Sequence, residues 1–354
     1  MLSDACRSTS CEDVSPHEMD REEMMAIWNE PVRLFRLANA LREMTCGEEV
    51  SFVVNRNINF TNICVGSCRF CAFRRSDGYK LTKEEISEKV RAAEEFGATE
   101  ICLQGGLAPG MVLEDYCEML ELIKRDYPRM HLHAYSPMEV FYMSKNSVPG
   151  VWDSIRELKR AGLGSMPGTA AEVLVDRVRR EICPEKLSSE EWCQVINIAH
   201  RLGVPTTSTL LYGHVESLED RIIHLEILRR IQADTGGFTE FVLLPFMPGN
   251  NPLGLIARRI DPLEHLKMHA LARVVLHPLI TNIQASWVKL GRDLAGRTTA
   301  WGVNDLGGTL MEENISRTAG SKESQCITPG ELKEMIERCG RRPVQRSTLY
   351  ERLG

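Results

Sequence analysis

Residues 64–71 read Cys-Val-Gly-Ser-Cys-Arg-Phe-Cys, so Cys64, Cys68 and Cys71 stand in a CxxxCxxC triplet, and no other cysteines in the chain are clustered. Three thiolates on one short loop can grip three corners of a 4Fe-4S cube and leave the fourth iron open. A closed structural zinc site needs a fourth ligand nearby, and none follows at finger spacing. A disulfide framework is the weaker reading. Twelve cysteines in 354 residues is a low density, and Met1 to Asp20 is polar and acidic with no apolar h-region. The expected setting is therefore a reducing cytoplasm. Cys6, Cys11, Cys46, Cys326 and Cys339 have no partner at ligand spacing, while Cys102, Cys117, Cys183 and Cys193 lie in apolar patterns that suit small buried hydrophobes.

Outward from this loop, short extended apolar segments alternate with amphipathic helices, which is βα repeat grammar. Strands are predicted near Val50–Asn59, Glu100–Gln104, His131–Tyr135, Gly162–Met166, Thr206–Tyr212, Thr239–Phe246, Ile280–Ser286 and Ala300–Asn304. Eight is the number that closes a (β/α)8 barrel. Capping boxes at Thr82/Glu85 and Ser188/Glu191 open two of the helices, and Asp261-Pro262 opens a third. Ile27–Met44 reads as one helix before the barrel, and Thr328, Pro329 and Glu331 start a last one packed outside it. The expected fold is α/β: residues 1–48 as tail and helix, 49–310 as a TIM-type barrel, and 311–354 as a C-terminal helical extension.

At 43% hydrophobic and 26% charged, the chain is long enough to close one large core or about two domains. No apolar run approaches the roughly 20 residues of a membrane span. A net charge of −6 argues against a nucleic-acid partner, which shows itself as a basic surplus. Neither nucleic acid nor membrane is an expected partner.

In a barrel of this kind the chemistry belongs at the C-terminal ends of the strands. There the sequence places the cysteine loop, Gln104-Gly105-Gly106, Ser136-Pro137-Met138-Glu139, Pro167-Gly168-Thr169, Tyr212-Gly213-His214, Pro245-Phe246, Ser286-Trp287 and Asn304-Asp305. Gly105 and Gly106 lack a Cβ and let the backbone approach a bound zwitterion. Glu172, with Arg179 two helical turns on along one face, suits the two ends of an amino acid; an exposed i, i+7 pair is the plain alternative. His131 and His133 alternate and so face one side of their strand. His133, at the strand mouth, is the candidate for function. His265 and His269 have a metal-pair spacing but no third ligand, which favours packing.

Phe70, just before the last cysteine, completes a CxxxCxΦC pattern, and the chain resembles the radical S-adenosylmethionine (SAM) superfamily. The resemblance implies that the open iron binds the amino group and carboxylate of SAM and that Gly105 and Gly106 contact its methionine part. It also implies that Glu172 and Arg179 hold its amino acid or ribose, with Ser136 and Glu139 as alternatives for the ribose. Leu107 stands where that superfamily often has Glu, which leaves recognition there to backbone carbonyls. The resemblance runs from about Asn55 to Gly320. Within it, Asn55–Cys64, Cys68–Arg75, His131–Val140, Ser165–Glu172, Thr235–Phe241 and Gly302–Thr309 look like one small group, the deazaflavin-synthase subunits and two radical SAM enzymes of futalosine-dependent menaquinone synthesis. The Thr-Ala-Ala-Glu, Ile-Cys-Pro-Glu-Lys and Tyr-Gly-His-Val-Glu segments make the chain most similar to the tyrosine-using deazaflavin-synthase subunit.

That likeness implies L-tyrosine and 5-amino-6-(D-ribitylamino)uracil as substrates. Reductive cleavage of SAM gives a 5'-deoxyadenosyl radical, which abstracts hydrogen from tyrosine; the Cα–Cβ bond breaks, a glycine imine leaves, and the 4-hydroxybenzyl radical adds to the amino-bearing ring carbon of the uracil before the electron is returned. It also implies a ferredoxin or flavodoxin as reductant and the other deazaflavin-synthase subunit as partner. His133, Tyr212, His214, Asn304, Asp305 and Glu312, with Thr309 and Glu313, are the expected substrate contacts, and Phe246 and Trp287 help to exclude water. An aminofutalosine or cyclic dehypoxanthine futalosine synthase, an iron-sulfur electron carrier and a zinc-stabilised module remain as alternatives.

Overall fold

In the computed structural model of the chain, residues 19–147, 150–323 and 326–353 are described; Cys6 and Cys11 lie outside them. Among the described residues nine strands form: β1 Glu49–Val53, β2 Asn55–Asn59, β3 Glu100–Gln104, β4 His131–Ala134, β5 Thr206–Tyr212, β6 Phe238–Pro245, β7 Ile283–Ala285, β8 Asp305–Gly308 and β9 Arg342–Gln345. The first predicted strand is broken at Val54 into β1, which pairs with β8, and β2, which pairs with β3; both pairings are parallel. β3 continues to β4, and β5 through β6 and β7 to β8, again in parallel. The fourth predicted strand, Gly162–Met166, shrinks to two bridging residues: Ser165 bonds beside His133 and Met166 beside Thr206. Gly162 at φ +113° and Gly164 give that segment no side chains to hold a ladder, yet the two bridges join β4 to β5 and close the ring of eight positions.

Two further boundaries differ from the sequence reading. Ile27–Met44 is not one helix but two, Arg21–Trp28 and Pro31–Cys46, because Pro31 takes the first position of a new helix. The eighth strand begins at Asp305 rather than ending near it; the chain from Ala300 to Asn304 is the turn after the helix Arg292–Thr298. Asn304 and Asp305 therefore lie at the bottom of the barrel, and Gly308 at its mouth. The glycine pair hides this strand from the sequence: Gly307 sits at φ +72°, and a Cβ on Gly308 would stand 2.0 Å from the Asn55 amide oxygen.

The helices start where their caps are written. Thr82 and Glu85 cap Lys83–Glu95, Ser188 and Glu191 cap Ser189–Arg201, and Asp261 caps Pro262–Leu276. Their apolar faces, such as Ile86, Val90 and Ala93 or Trp192, Val195 and Ile196, are buried against the ring. The helix Pro329–Arg338 packs outside against Arg292–Thr298, but the chain after it turns inward. β9 runs parallel to β1, and Arg346, Thr348 and Tyr350 reach Asp305, Glu100 and Glu240 beneath the strands. The polar layer of the barrel floor is thus completed by the last residues of the chain. Among the described residues no helix is long and apolar enough to cross a membrane.

Candidate active site

A cavity of about 420 Å³ opens over the C-terminal ends of the strands, within the size range of pockets that enclose a small ligand. Cys64, Phe70, Cys68 and Cys71 line it, on the irregular chain between β2 and the helix Lys83–Glu95. Two neighbouring loops hold this cysteine loop by its backbone. The Val65 N–H donates to the Leu107 carbonyl at 3.0 Å, and the Arg69 N–H to the Ile182 carbonyl at 2.9 Å. The loop after β3 passes so close that a Cβ on Gly106 would stand 2.2 Å from the Ile63 carbonyl oxygen and 2.9 Å from Cys64 Cβ. Only glycine fits there.

Gly105 and Glu139 tie the second and third strand ends together. The Gly105 N–H donates to Glu139 Oε1 at 2.9 Å, while the Ser136 N–H and hydroxyl both donate to Oε2 at 2.7 Å. Burial pushes the Glu139 carboxyl up to about 7 in spite of these bonds. Gly105, Gly106, Ser136, Glu139 and Glu172 all face the same cavity.

Glu172 and Arg179 do not share a helix face. Glu172 lies before the helix Asp176–Ile182, at φ +46°. The Arg179 guanidinium is buried and turned away from the cavity. It donates to the Leu187 carbonyl at 2.8 Å and to the Ala170 and Ala171 carbonyls, and so braces the strand-four loop from behind. Glu172 is instead paired with Lys186 at 2.7 Å, and the Lys186 ammonium lies 5.2 Å from the centre of the Phe70 ring. Burial works most strongly against the charge on Lys186, but Glu172 together with the Cys68 and Cys183 thiols outweighs it and the ammonium's pKa is raised. Lys186 thus links the cysteine loop to the strand-four loop.

Of the side chains expected to meet substrate, His133, Tyr212, His214, Asn304, Asp305 and Glu312 do not line the cavity, and each has another partner. His133 Nδ1 meets the Ser165 hydroxyl at 2.7 Å. Thr209 and Leu211 of β5 face the cavity, so by alternation Tyr212 points outward, where its hydroxyl meets His265 Nδ1 at 2.8 Å. His214 is buried against Glu216 at 3.2 Å. Asn304 Oδ1 accepts from Arg273 at 2.6 Å and from the Ile283 N–H at 2.9 Å. Asp305 is paired with Arg346 below the strands. Glu312 is bound by Arg56 at 2.8 Å and Lys89 at 2.7 Å, and the neighbouring Glu313 is the one that faces the cavity. Phe246 and Trp287 line it as well.

Lys186, Lys289 and Gln284 also line it and were not singled out from the sequence. Lys186 lies within the Ile-Cys-Pro-Glu-Lys segment, but nothing in the spacing there points to Glu172. Lys289 and Gln284 carry no motif at all. Among the described residues no three His, Cys, Asp or Glu side chains are already gathered around one point for a single ion. The fit to a cluster rests on three thiols lining one cavity and on the close passage that Gly106 allows.

Solved structures share this architecture. The chain superposes on methylornithine synthase with a TM-score of 0.71 at 18% identity, covering 92% of this chain and 90% of that one. It superposes on the FeFe-hydrogenase maturase HydG from Carboxydothermus hydrogenoformans with a TM-score of 0.75 at 17% identity, covering 95% and 78%. At such identities the likeness shows the fold, a radical SAM TIM-type barrel. The radical SAM superfamily profile matches residues 58–228, and the CofH/MqnC C-terminal region matches residues 235–353. The 5-amino-6-(D-ribitylamino)uracil–L-tyrosine 4-hydroxyphenyl transferase 1 of Methanosarcina mazei is 55% identical over 90% of this chain and 86% of its own length. The transferases of Methanopyrus kandleri and Archaeoglobus fulgidus are 53% and 51% identical, over 91% and 90% of this chain and 89% and 93% of their own lengths.

The chain belongs to this 4-hydroxyphenyl transferase family of radical SAM enzymes. Membership brings with it a 4Fe-4S cluster and SAM as cofactors. The family's two regions meet in the cavity. The cysteine loop, Gly105, Glu139 and Glu172 come from the radical SAM region, and Phe246, Gln284, Lys289 and Glu313 come from the C-terminal region.

Proposed function

We propose that this chain joins the 4-hydroxybenzyl group of L-tyrosine to 5-amino-6-(D-ribitylamino)uracil, releasing 2-iminoacetate, in the synthesis of a deazaflavin coenzyme. The observation that carries the reading is identity above 50% with transferases of this name, running through both the barrel and the C-terminal region.

Cys64, Cys68 and Cys71 would hold the cluster, and Phe70, Gly105, Gly106, Ser136, Glu139 and Glu172 would surround SAM. When bound, the cluster and SAM together supply a carbon radical strong enough to take hydrogen from an amino acid. The chain's own residues must position both substrates and keep water from that radical. Leu244, Phe246, Trp287 and Leu306 give the cavity apolar walls on the side of strands six to eight. The Glu139 carboxylate fixes the Ser136 and Gly105 backbones against each other, so the SAM side of the cavity is set before anything binds. Lys186 neutralises Glu172 beside the cysteine loop and keeps that carboxylate from repelling an anionic group. A ferredoxin or flavodoxin would deliver the electron, and the other deazaflavin-synthase subunit would take the product onward.

The test is an anaerobic reaction of the reconstituted enzyme with SAM, dithionite, L-tyrosine and the ribityl uracil, followed by mass spectrometry. The expected result is a mass corresponding to the coupled 4-hydroxybenzyl product, formed in step with deoxyadenosine. Deoxyadenosine with no coupled product would refute the assignment of substrates.

A further inference from the structure

Among the described residues three cations line the cavity: Arg74, Lys186 and Lys289. Arg74 is exposed, and Lys186 is held by Glu172 at 2.7 Å. Lys289 is half-buried on the short helix Trp287–Leu290 after β7, and among the described residues its ammonium makes no hydrogen bond and no ion pair. The carboxylates that act on it from a distance are occupied elsewhere. Glu313 accepts from Asn57 Nδ2 at 2.7 Å and from the Ser316 N–H at 2.8 Å, and Glu172 is taken by Lys186. Burial pulls the Lys289 pKa below its ordinary value, with Glu313 and Glu172 opposing.

An ammonium in an enclosure walled by Leu244, Leu306, Phe246 and Trp287 costs free energy unless something answers its charge. Among the described residues nothing inside the cavity does so, and a bound anion is the natural counterpart. Resting on the reading above, two molecules would bring a carboxylate into this space, SAM and L-tyrosine; the ribityl uracil has none. The residues assigned to SAM stand at the ends of strands one to four. Lys289 follows strand seven, across the ring from Ser136 and Glu139 at strand three. Gln284 of β7 and Ser286 just after it line the cavity with side chains that make no hydrogen bond among the described residues. A cation and two neutral acceptors lining one cavity from the same strand end are a complement for a zwitterion, with the carboxylate on the ammonium and the amine on the amide or hydroxyl oxygen.

We propose that Lys289 binds the carboxylate of the amino-acid substrate, L-tyrosine, and with Gln284 and Ser286 sets the position of its amine and Cα–Cβ bond. It is then a specificity residue of the substrate half of the site, separate from the half that holds SAM.

Calorimetric titration of the reconstituted enzyme, with SAM present and the cluster unreduced, tests this. The probes are L-tyrosine and L-tyrosinamide, which keeps the ring and amine but has no carboxylate. Wild type should bind the amide about 10- to 100-fold more weakly, the scale of one charge-assisted hydrogen bond. Lys289→Met and Lys289→Gln should lower affinity for L-tyrosine by a similar factor, leave the amide unchanged and leave SAM affinity unchanged. Neither variant should melt below wild type, since each removes a half-buried charge that has no partner among the described residues. Equal binding of tyrosine and its amide by wild type overturns the proposal without needing a variant. So does a Lys289→Met enzyme that binds L-tyrosine normally, or one whose SAM affinity falls instead. If wild type makes coupled product while Lys289→Met keeps its tyrosine affinity, the inference alone falls. If wild type binds no tyrosine at all, the proposed substrate falls and takes the inference with it.

Discussion

A methyl group on Gly106 would stand 2.2 Å from the Ile63 carbonyl oxygen, so the loop after β3 and the cysteine loop can keep their present distance only without it. Gly106→Ala should push Cys64 away from Cys68 and Cys71 and lower the iron bound after reconstitution, with circular dichroism little changed because the strain is confined to loops. Normal iron and sulfide content in this variant would sink the argument. Arg179 gives the opposite case. Its guanidinium serves the Ala170, Ala171 and Leu187 carbonyls and not the cavity. Arg179→Met should therefore cost about 3 kcal/mol of stability by stranding those buried acceptors, while the folded fraction keeps its SAM affinity. A variant that melts like wild type but binds SAM poorly would return Arg179 to the cofactor. The cysteine triplet was legible in the sequence because ligation imposes a spacing on neighbouring residues. The Glu172–Lys186 pair was not, because two loops separated by a helix set it. The assumed Glu172–Arg179 face failed for a related reason: the helix starts only after Glu172.

Among the elements, helices with written caps and strands with apolar runs, such as β3, β5 and β6, were predictable, while the fourth and eighth strands were not. Thr82, Ser188 and Asp261 announce their helices locally. The two bridging residues of the fourth strand, Ser165 and Met166, extend only because β4 and β5 flank them, and β8 is disguised by Gly307 and Gly308. That disguise moved Asn304 and Asp305 to the wrong end of the barrel in the sequence reading. Their real setting carries a prediction about the C-terminal strap. Arg346 is almost fully buried and donates to Asp305 at 3.0 Å and to Glu240 at 3.3 Å, and the Tyr350 hydroxyl also donates to Glu240. Replacing Arg346 by Met would leave two carboxylates buried without their cation, at a cost of about 3–5 kcal/mol. The expected outcome is a lowered urea midpoint with deoxyadenosine formation and coupling falling together. Asp305→Asn should follow the same pattern in milder form. Loss of coupling alone, at an unchanged midpoint, would show that Asp305 senses substrate from beneath the barrel.

Over the whole molecule, the largest pH-dependent liability comes from buried histidines. Burial lowers the pKa of His133, His200, His265 and His269 to about 4 and that of His224 to about 3. The geometry agrees for His224, whose Nδ1 accepts the Leu174 N–H at 3.1 Å and so must be unprotonated. Unfolded histidines titrate near 6.5, so between roughly pH 6.5 and 4 the unfolded chain binds more protons than the folded one, and acid drives unfolding. The stability these neutral histidines give is complete above pH 6.5 and is lost as the pH falls towards 4. Two acids oppose this in part. Glu139, held at about 7, and Glu240, also raised by burial, favour the folded state more as the pH falls from 7 towards 4.5. Five groups outweigh two. Each tenfold change in a group's proton affinity on folding is worth about 1.4 kcal/mol, so even part of the histidine contribution is large beside a typical folding free energy of about 5–15 kcal/mol. Urea midpoints of the cluster-free protein should fall steeply from pH 7 to pH 5. His224→Gln, which keeps an acceptor near the Leu174 N–H, should flatten the slope while lowering the midpoint at pH 7. Equal midpoints at pH 7 and 5 would mean that these histidines can charge inside the fold, and that water reaches a core the packing presents as closed.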